Sequence, residues 1–174
     1  YSVALSYATS NRGACHLAGW SHPYEMSLSQ PDIGIGEPHE RHQLEGKAEF
    51  TAKLQNLMCM FDTLVLCKFA QIGGGLKVHH MVDWLNLVTG RNMGVEDFMK
   101  TGERIFNLKR LYNTRCGITR KDDSLPPRIL TVKRRGGKLP PLGELLSDYY
   151  EYRGWSEDGI PLPAKLTELG LQGR

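Results

Sequence analysis

Apolar residues at helical spacing are the feature of this chain that most constrains its fold. Between residues 43 and 69 they recur at steps of three and four, as Leu54, Leu57, Met58, Phe61, Leu64 and Leu66. Lys47, Glu49 and Lys53 occupy the opposite face. This period predicts an amphipathic α-helix over 43–69, and the glycines at 73–75 predict where it ends.

Four more segments carry helical patterns, and none of the chain shows a clear alternating β run. One spans 79–88 before Thr89 and Gly90, and another spans 95–115 before Cys116 and Gly117; glycine after the last periodic residue is a helix C-terminal signal. The other two run over 142–152 and over a short stretch after Pro163. The predicted fold class is mostly α.

Glycine and proline divide the rest of the chain. They predict an irregular segment over 1–42 and a long loop over 117–141, on either side of a helical core over 43–116, with C-terminal helices over 142–174. The 174 residues suit one domain. Because the chain begins with Tyr1, we expect it to be a fragment of a longer protein.

Composition excludes some classes of protein. The net charge of +3 is too small to indicate a nucleic-acid-binding protein, and the basic run at 133–135 with Lys138 lies in a glycine- and proline-rich stretch typical of a solvated loop. No apolar run approaches the roughly 18 residues that a membrane span needs, and the chain does not start with a secretory segment. No nucleic acid or membrane is therefore expected as a partner.

The four cysteines predict reduced thiols rather than a disulfide scaffold. They are Cys15, Cys59, Cys67 and Cys116, and no pair has the C-x-x-C spacing of zinc ribbons or redox motifs. Four cysteines in a chain of this length are too sparse for a disulfide framework. We expect a cytoplasmic protein whose thiols are mostly buried as small apolar groups.

Chemically useful groups occur in two otherwise apolar segments. Asp62 and Cys67 lie in the most apolar helix, and Arg12 and His16 lie beside Gly13. A thiolate can hold an iron–sulfur cluster, arginine suits phosphate, and histidine can move a proton near neutral pH. The alternatives are an inert buried cysteine, a surface acid, and a turn with a satisfied histidine.

Other histidines and glycines are weaker evidence for a functional site. His39 and His42 are three apart and could share a helix face as metal ligands, but no third ligand follows at motif spacing. His79 and His80 are adjacent and are predicted to be structural. The glycines at 73–75 lack the following Gly-Lys-Ser/Thr of a P-loop and predict a helix stop or hinge.

Five segments resemble sequence patterns of the tungsten-dependent aldehyde ferredoxin oxidoreductases. Residues 8–16 (ATSNRGACH) are similar to A-T-N/S-N-R-G-G-C-H, and residues 61–67 (FDTLVLC) to D-x-x-G-L-C. Residues 102–113 (GERIFNLKRLYN) resemble G-E-R-I-x-N-x-x-R-L-F-N. Residues 121–126 (KDDSLP) resemble R/K-D-D-T-L-P, and residues 149–159 (YYEYRGWSEDG) resemble Y-Y-x-x-R-G-W-x-x-x-G. Because the five occur in the family's order over most of the chain, it is identified as a member.

The resemblance implies the C-terminal helical domain of a three-domain enzyme whose N-terminal and middle domains are absent here. Such an enzyme oxidises aldehydes to carboxylates, passes the electrons to ferredoxin, and can form a homo-oligomer. It implies a tungstopterin with two pterins, in which molybdenum is the alternative to tungsten. It also implies a 4Fe–4S cluster with Cys67 as one ligand. Asp62 would contact a pterin through its side chain and Leu66 through its backbone, and Arg12 would also bind cofactor. His16 would be catalytic, beside the metal, on a segment of 1–42 that faces the cofactor.

One departure from the pattern keeps a second reading open. Val65 stands where the family has the glycine before Leu66 and Cys67, and glycine allows close backbone approach. Val65 therefore favours an alternative, a non-catalytic helical docking or assembly remnant of the family. A small metal-binding domain using His39 and His42 is the third reading.

Further residues are expected to be structural. The other thiols are Cys15, Cys59 and Cys116. The arginines expected to form structural ion pairs are Arg104, Arg110 and Arg153, and the expected loop anchors are Asp122 and Asp123.

Overall fold

The computed structural model describes residues 1–73, 75–133 and 137–173, and the regular structure within these ranges is helical. The α-helices are α1 Ser2–Thr9, α2 His16–Gly19, α3 His22–Met26, α4 Lys47–Thr63, α5 Ala70–Gly73, α6 Val78–Thr89, α7 Val95–Arg115, α8 Pro127–Thr131, α9 Leu142–Arg153 and α10 Pro163–Glu168. A 3-10 turn spans Pro31–Ile33. The described β pairing is limited to isolated bridges. The mostly-α prediction is confirmed.

Helix α4 is the centre of the fold. It packs against α1, α2, α7 and α9. Its side chains enter two apolar clusters, one with Trp20 and Phe98 and the other with Leu5 and Tyr149. Because apolar side chains leave water on both sides of α4, burial rather than helix propensity accounts for its stability.

Helix α7 approaches α4 closely at Gly102. A Cβ atom at this position would overlap the backbone carbonyl oxygen of Asn56 and press on the side chain of Met60. Glycine here lets the two helix backbones meet, so this residue of the 102–113 segment has a packing role.

The segment predicted as irregular, 1–42, contains α1, α2 and α3. These helices have no side-chain caps, and they are too short to be stable alone. Tertiary packing holds them, as the complete burial of Leu5 on α1 illustrates. The glycine and proline residues that separate these helices made the segment look irregular in the sequence pattern.

The predicted helix over 43–69 is shorter in the structure, running Lys47–Thr63. The other long helices, α6, α7 and α9, lie within one residue of their predicted bounds. The loop over 117–141 contains the short helix α8. No helix among the described residues is long and apolar enough to span a bilayer.

Two expectations fall partly outside the described residues. Arg134 and Arg135 of the basic run are not described, and neither is Gly74 of the glycine run. The glycine run is predicted to end the helix over 43–69, but that helix ends at Thr63, and a separate short helix, α5, spans Ala70–Gly73.

The predicted ion pair of Arg110 is confirmed. Its Nη1 lies 2.8 Å from Asp123 Oδ1, and both side chains are buried. Tyr150 also donates to Asp123, and Asp122 accepts from the Thr119 amide at 2.8 Å. Both aspartates therefore anchor the loop, as expected.

Within the described part of the chain, neither Arg104 nor Arg153 forms the predicted ion pair. Arg104 Nε donates to the Leu169 carbonyl oxygen at 2.7 Å. Arg153 is 1% exposed, donates to the amide oxygens of Gln55 and Asn56 at 2.9 and 2.6 Å, and stacks on Phe106. In both cases the hydrogen-bond acceptors are neutral oxygens and not carboxylates.

The prediction that most thiols are buried is also wrong. Cys59 is buried and Cys15 is half-buried, whereas Cys67 and Cys116 are exposed; all four are free thiols. Cys116 is exposed because it follows the last turn of α7, where the chain leaves the core.

Candidate functional site

The turn that follows α4 has the hydrogen-bond pattern of a Schellman motif. The Val65 amide donates to the Asp62 carbonyl oxygen at 3.3 Å, and the Leu66 amide donates to the Phe61 carbonyl oxygen at 2.9 Å. Val65 is in the left-handed region with φ 56°, at the position where this motif usually has glycine. The turn thus keeps the shape that glycine favours although valine occupies it.

Asp62 lies at the end of α4 between two cations. Its Oδ2 is 3.0 Å from Arg12 Nη1, and its Oδ1 is 2.7 Å from Lys68 Nζ. The Asp62 side chain is 34% exposed and Lys68 is 7% exposed. Each carboxylate oxygen retains acceptor capacity for a further donor.

His16 begins the short helix α2 and is exposed. The ring centroid of His22 lies 6.4 Å from that of His16. Burial lowers the pKa of His22, and the charge of His16 lowers it further. An accessible imidazole at the start of α2 therefore lies near a partly buried one at the start of α3.

Cys15 precedes α2 and accepts a hydrogen bond from Arg12 Nη2 at 3.5 Å. Burial raises the pKa of the Cys15 thiol, but hydrogen bonds from Arg12 and from the backbone amides of Leu17 and Ala18, together with the Arg12 charge, outweigh burial and lower the pKa below its ordinary value. A thiol beside a guanidinium is more readily ionised and more nucleophilic than an isolated one. The structural role that the sequence predicts for Cys15 stays a prediction.

Arg12 and Asp62 line a cavity of about 240 Å³ between the Ser10–Arg12 stretch, α4 and α7. The other lining residues are Ser10, Asn11, Ala18, Cys59, Phe106 and Lys109. Ser10 Oγ and Asn11 Oδ1 are buried and have no hydrogen-bond partner within the described part of the chain. Such polar atoms favour a ligand or water that supplies donors.

The structure brings four of the predicted site residues close together and connects the fifth to them only indirectly. Arg12 and Asp62 are in contact, and Leu66 and Cys67 lie on the turn that follows Asp62. His16 is connected to this turn indirectly, because Lys68 Nζ donates to the carbonyl oxygen of the neighbouring Leu17 at 2.9 Å.

The histidine pair proposed as a metal site is not supported. His39 packs on Phe50 with ring centroids 4.7 Å apart, and His42 packs edge-on against Tyr1. The described residues contain no group of three or more potential metal ligands. His79 pairs with Asp32 at 2.8 Å and so has the structural role predicted for it.

The sequence does not single out two basic residues of this region, Lys68 and Lys109. A lysine directly after Cys67, in an apolar turn, is the signal that could have indicated the first. Lys109 carries no such signal, because charged residues are common on the outer face of a helix like α7.

Comparison with known proteins gives one family. A family model described as "Aldehyde ferredoxin oxidoreductase, domains 2 & 3" matches residues 1–171. The chain is 36% identical to the tungsten-containing aldehyde ferredoxin oxidoreductase of Pyrococcus abyssi over 97% of its length, and 35% identical to that of Pyrococcus furiosus over 96%. It spans 27% of the length of each of these relatives.

The chain is also similar, at lower identity and coverage, to two proteins with other names. The chain is 32% identical, over 64% of its length, to the aliphatic sulfonate oxidoreductase WOR-like subunit of Pyrococcus furiosus, of which it spans 19%. Among solved structures, the active-site complex BamBC of benzoyl coenzyme A reductase with 1,5-dienoyl-CoA matches with TM-score 0.63 and 25% identity. That match covers 78% of this chain and 20% of the other. The chain belongs to the aldehyde ferredoxin oxidoreductase family, and it corresponds to a C-terminal part of these longer oxidoreductases.

Proposed function

We propose that this chain is the cofactor-clamping domain of a tungsten-dependent enzyme that oxidises aldehydes to carboxylates and delivers the electrons to ferredoxin. The observation that carries the proposal is the turn after α4. Asp62 presents a partly exposed carboxylate there, and Val65, at the position where the family pattern has glycine, has a left-handed backbone. The names of relatives at 35–36% identity support aldehyde as the substrate class.

The residues around the turn fit a pterin. Pterin rings offer N–H donors, and the unpartnered oxygens of Ser10 and Asn11 and the carboxylate of Asp62 are acceptors that border one cavity. Arg12 and Lys109 line the same cavity and could bind an attached phosphate. The side chain of Val65 is 90% exposed, so it leaves this cavity free.

The chain's own residues would have distinct roles toward the cofactor. Asp62 would orient the pterin through its side chain and Leu66 through its backbone, while the exposed thiol of Cys67 would hold one iron of a 4Fe–4S cluster. The exposed imidazole of His16 would exchange a proton with the substrate or its water. A bound tungstopterin would supply the redox chemistry. Molybdenum is the alternative metal for the same ligands.

The similarity to the benzoyl coenzyme A reductase complex makes the reduction of an aromatic thioester the second candidate function. It is favoured less, because that match has 25% identity over 78% of the chain, against 36% over 97% for the aldehyde-named relative. The docking remnant is also favoured less, since Val65 keeps a left-handed backbone and the hydrogen bonds of a Schellman turn at the position of the family's glycine.

The test uses the full-length enzyme with a panel of aldehydes and benzyl viologen as electron acceptor. We expect aldehyde-dependent dye reduction that falls by about 10²-fold or more in His16→Ala, because general acid–base groups contribute on that order. His42→Ala is the matched control, since His42 packs on Tyr1 outside the site. Equal activities of the two variants would contradict the assignment of His16. No dye reduction with aldehydes, together with reoxidation of chemically reduced benzyl viologen when an aromatic thioester is added, would favour the second candidate.

The chain by itself is expected to be inactive, because three cluster ligands and the remaining cofactor contacts would lie in other domains. Aldehyde oxidation by residues 1–174 alone would contradict the proposed division of the site.

A further inference from the structure

We propose that Lys68 is a positioning residue that holds helix α2, and with it His16, against the turn that carries Asp62 and Cys67. The inference rests on the proposed function only in treating His16 as a group that acts at that turn.

Lys68 is a buried cation with two partners on different elements. It is 7% exposed, and its Nζ lies 2.7 Å from Asp62 Oδ1 at the end of α4. The same Nζ donates to the Leu17 carbonyl oxygen on α2 at 2.9 Å. Because a buried ammonium is costly unless it is paired and hydrogen-bonded, both contacts are needed for Lys68 to remain where it is.

Helix α2 cannot hold its own position. It has four residues, no side-chain cap hydrogen bond, and a left-handed residue, Trp20, directly after it. A helix of this length is far below what is stable in isolation. Besides its packing on α1 and α4, it is joined to the segment after α4 by the Lys68 hydrogen bond and by the packing of Trp20 on Phe69, whose ring centroids are 5.6 Å apart.

Lys68 also fixes the carboxylate of Asp62. Lys68 occupies Oδ1 and Arg12 occupies Oδ2, so the group is held from both sides. The Arg12 side chain is 46% exposed, and exposed ion pairs hold geometry weakly because water screens them. The buried partner, Lys68, therefore sets the orientation of Asp62 more firmly than Arg12 does.

The test compares Lys68→Met with Lys53→Met in the full-length enzyme. Lys53 is the matched control, since it forms an i,i+4 pair with Glu49 on the outer face of α4. Backbone hydrogen exchange is measured for peptides over 16–20 and over α4 and α7. We expect exchange over 16–20 to rise by about tenfold or more in Lys68→Met only, with α4 and α7 unchanged.

Catalytic turnover supplies the second readout. We expect Lys68→Met to lower kcat by about tenfold or more at unchanged tungsten and iron content, and Lys68→Arg, which keeps a cation, to recover part of that loss. Exchange over 16–20 equal to that of Lys53→Met would overturn the inference, as would a rise of equal size throughout α4 and α7. Because exchange needs no turnover, it decides the role of Lys68 even if the enzyme oxidises no aldehyde.

Discussion

Replacing Val65 by glycine is expected to stabilise the protein. Val65 has φ 56°, a left-handed conformation that a residue with a Cβ atom adopts at a cost of about 1–2 kcal/mol. Its side chain is 90% exposed, so its removal sacrifices little buried apolar area. Glycine adds conformational entropy to the unfolded chain, which offsets about 0.4–1 kcal/mol. The net gain is therefore up to about 1.6 kcal/mol, with a central value of about 0.8 kcal/mol.

Thermal denaturation measures this gain. For a protein of this size, about 1 kcal/mol shifts Tm by roughly 2–4 °C, so Val65→Gly is expected to raise Tm by about 1–4 °C. Val132→Gly is the matched control, because Val132 is also exposed but has an ordinary φ of −104°. That control is expected to lower Tm, since glycine there loses entropy without relieving strain.

A fall in Tm for Val65→Gly as large as the fall for Val132→Gly would refute the reasoning. It would mean that valine is not strained at this turn, and that the left-handed backbone is not what the family's glycine provides.

Gly102→Ala is expected to lower the free energy of unfolding by about 1–3 kcal/mol, because the new Cβ meets the Asn56 carbonyl oxygen, and denaturant titration measures it. Arg153→Met should cost about 2–4 kcal/mol in the same titration, because buried acceptors lose their donor. Cys15 should react with iodoacetamide at lower pH than an ordinary thiol, since its pKa is lowered and the thiolate is the nucleophile. Arg12→Gln should shift the pH profile of this alkylation to higher pH. Peptide mass spectrometry measures the alkylated fraction at each pH.

Each of these has a result that contradicts it. Unchanged stability in Gly102→Ala would mean that α4 and α7 can separate without loss. A stable Arg153→Met would show that the amide acceptors find other donors. An alkylation profile of Cys15 that is the same with and without Arg12 would exclude the guanidinium as the cause of the lowered pKa.

The long helices were predictable from sequence because their apolar period is strong. Helix α7 runs Val95–Arg115 as its stripe and glycine stop predict. The helices of the first 42 residues were not predictable, since α1 and α2 pack on α4, which is far away in sequence, and Glu25 of α3 pairs with Lys47 of α4. The end of α4 was predicted too late, because Leu64 and Leu66 continue the apolar period although the backbone reverses at Val65.

The candidate site was predictable in its residue types but not in its arrangement. The resemblance of residues 8–16 and 61–67 to family patterns indicates which side chains matter, and the contact between Arg12 and Asp62, fifty positions apart, joins the two segments. The bridge by Lys68 could not be predicted, because burial of a lysine and its choice of a carbonyl partner depend on tertiary packing.

Metal analysis of the full-length protein beside its Cys67→Ser variant tests the central claim most directly. The account predicts tungsten, or molybdenum, and about four iron atoms per chain in the parent protein, with the cluster lost or converted in Cys67→Ser. Cys116→Ser is the control, because Cys116 is an equally free, exposed thiol, and it should retain the full metal content. A well-folded parent protein with neither metal nor iron, or a Cys67→Ser variant with an unaltered cluster, would contradict the proposal that this chain clamps a metal cofactor.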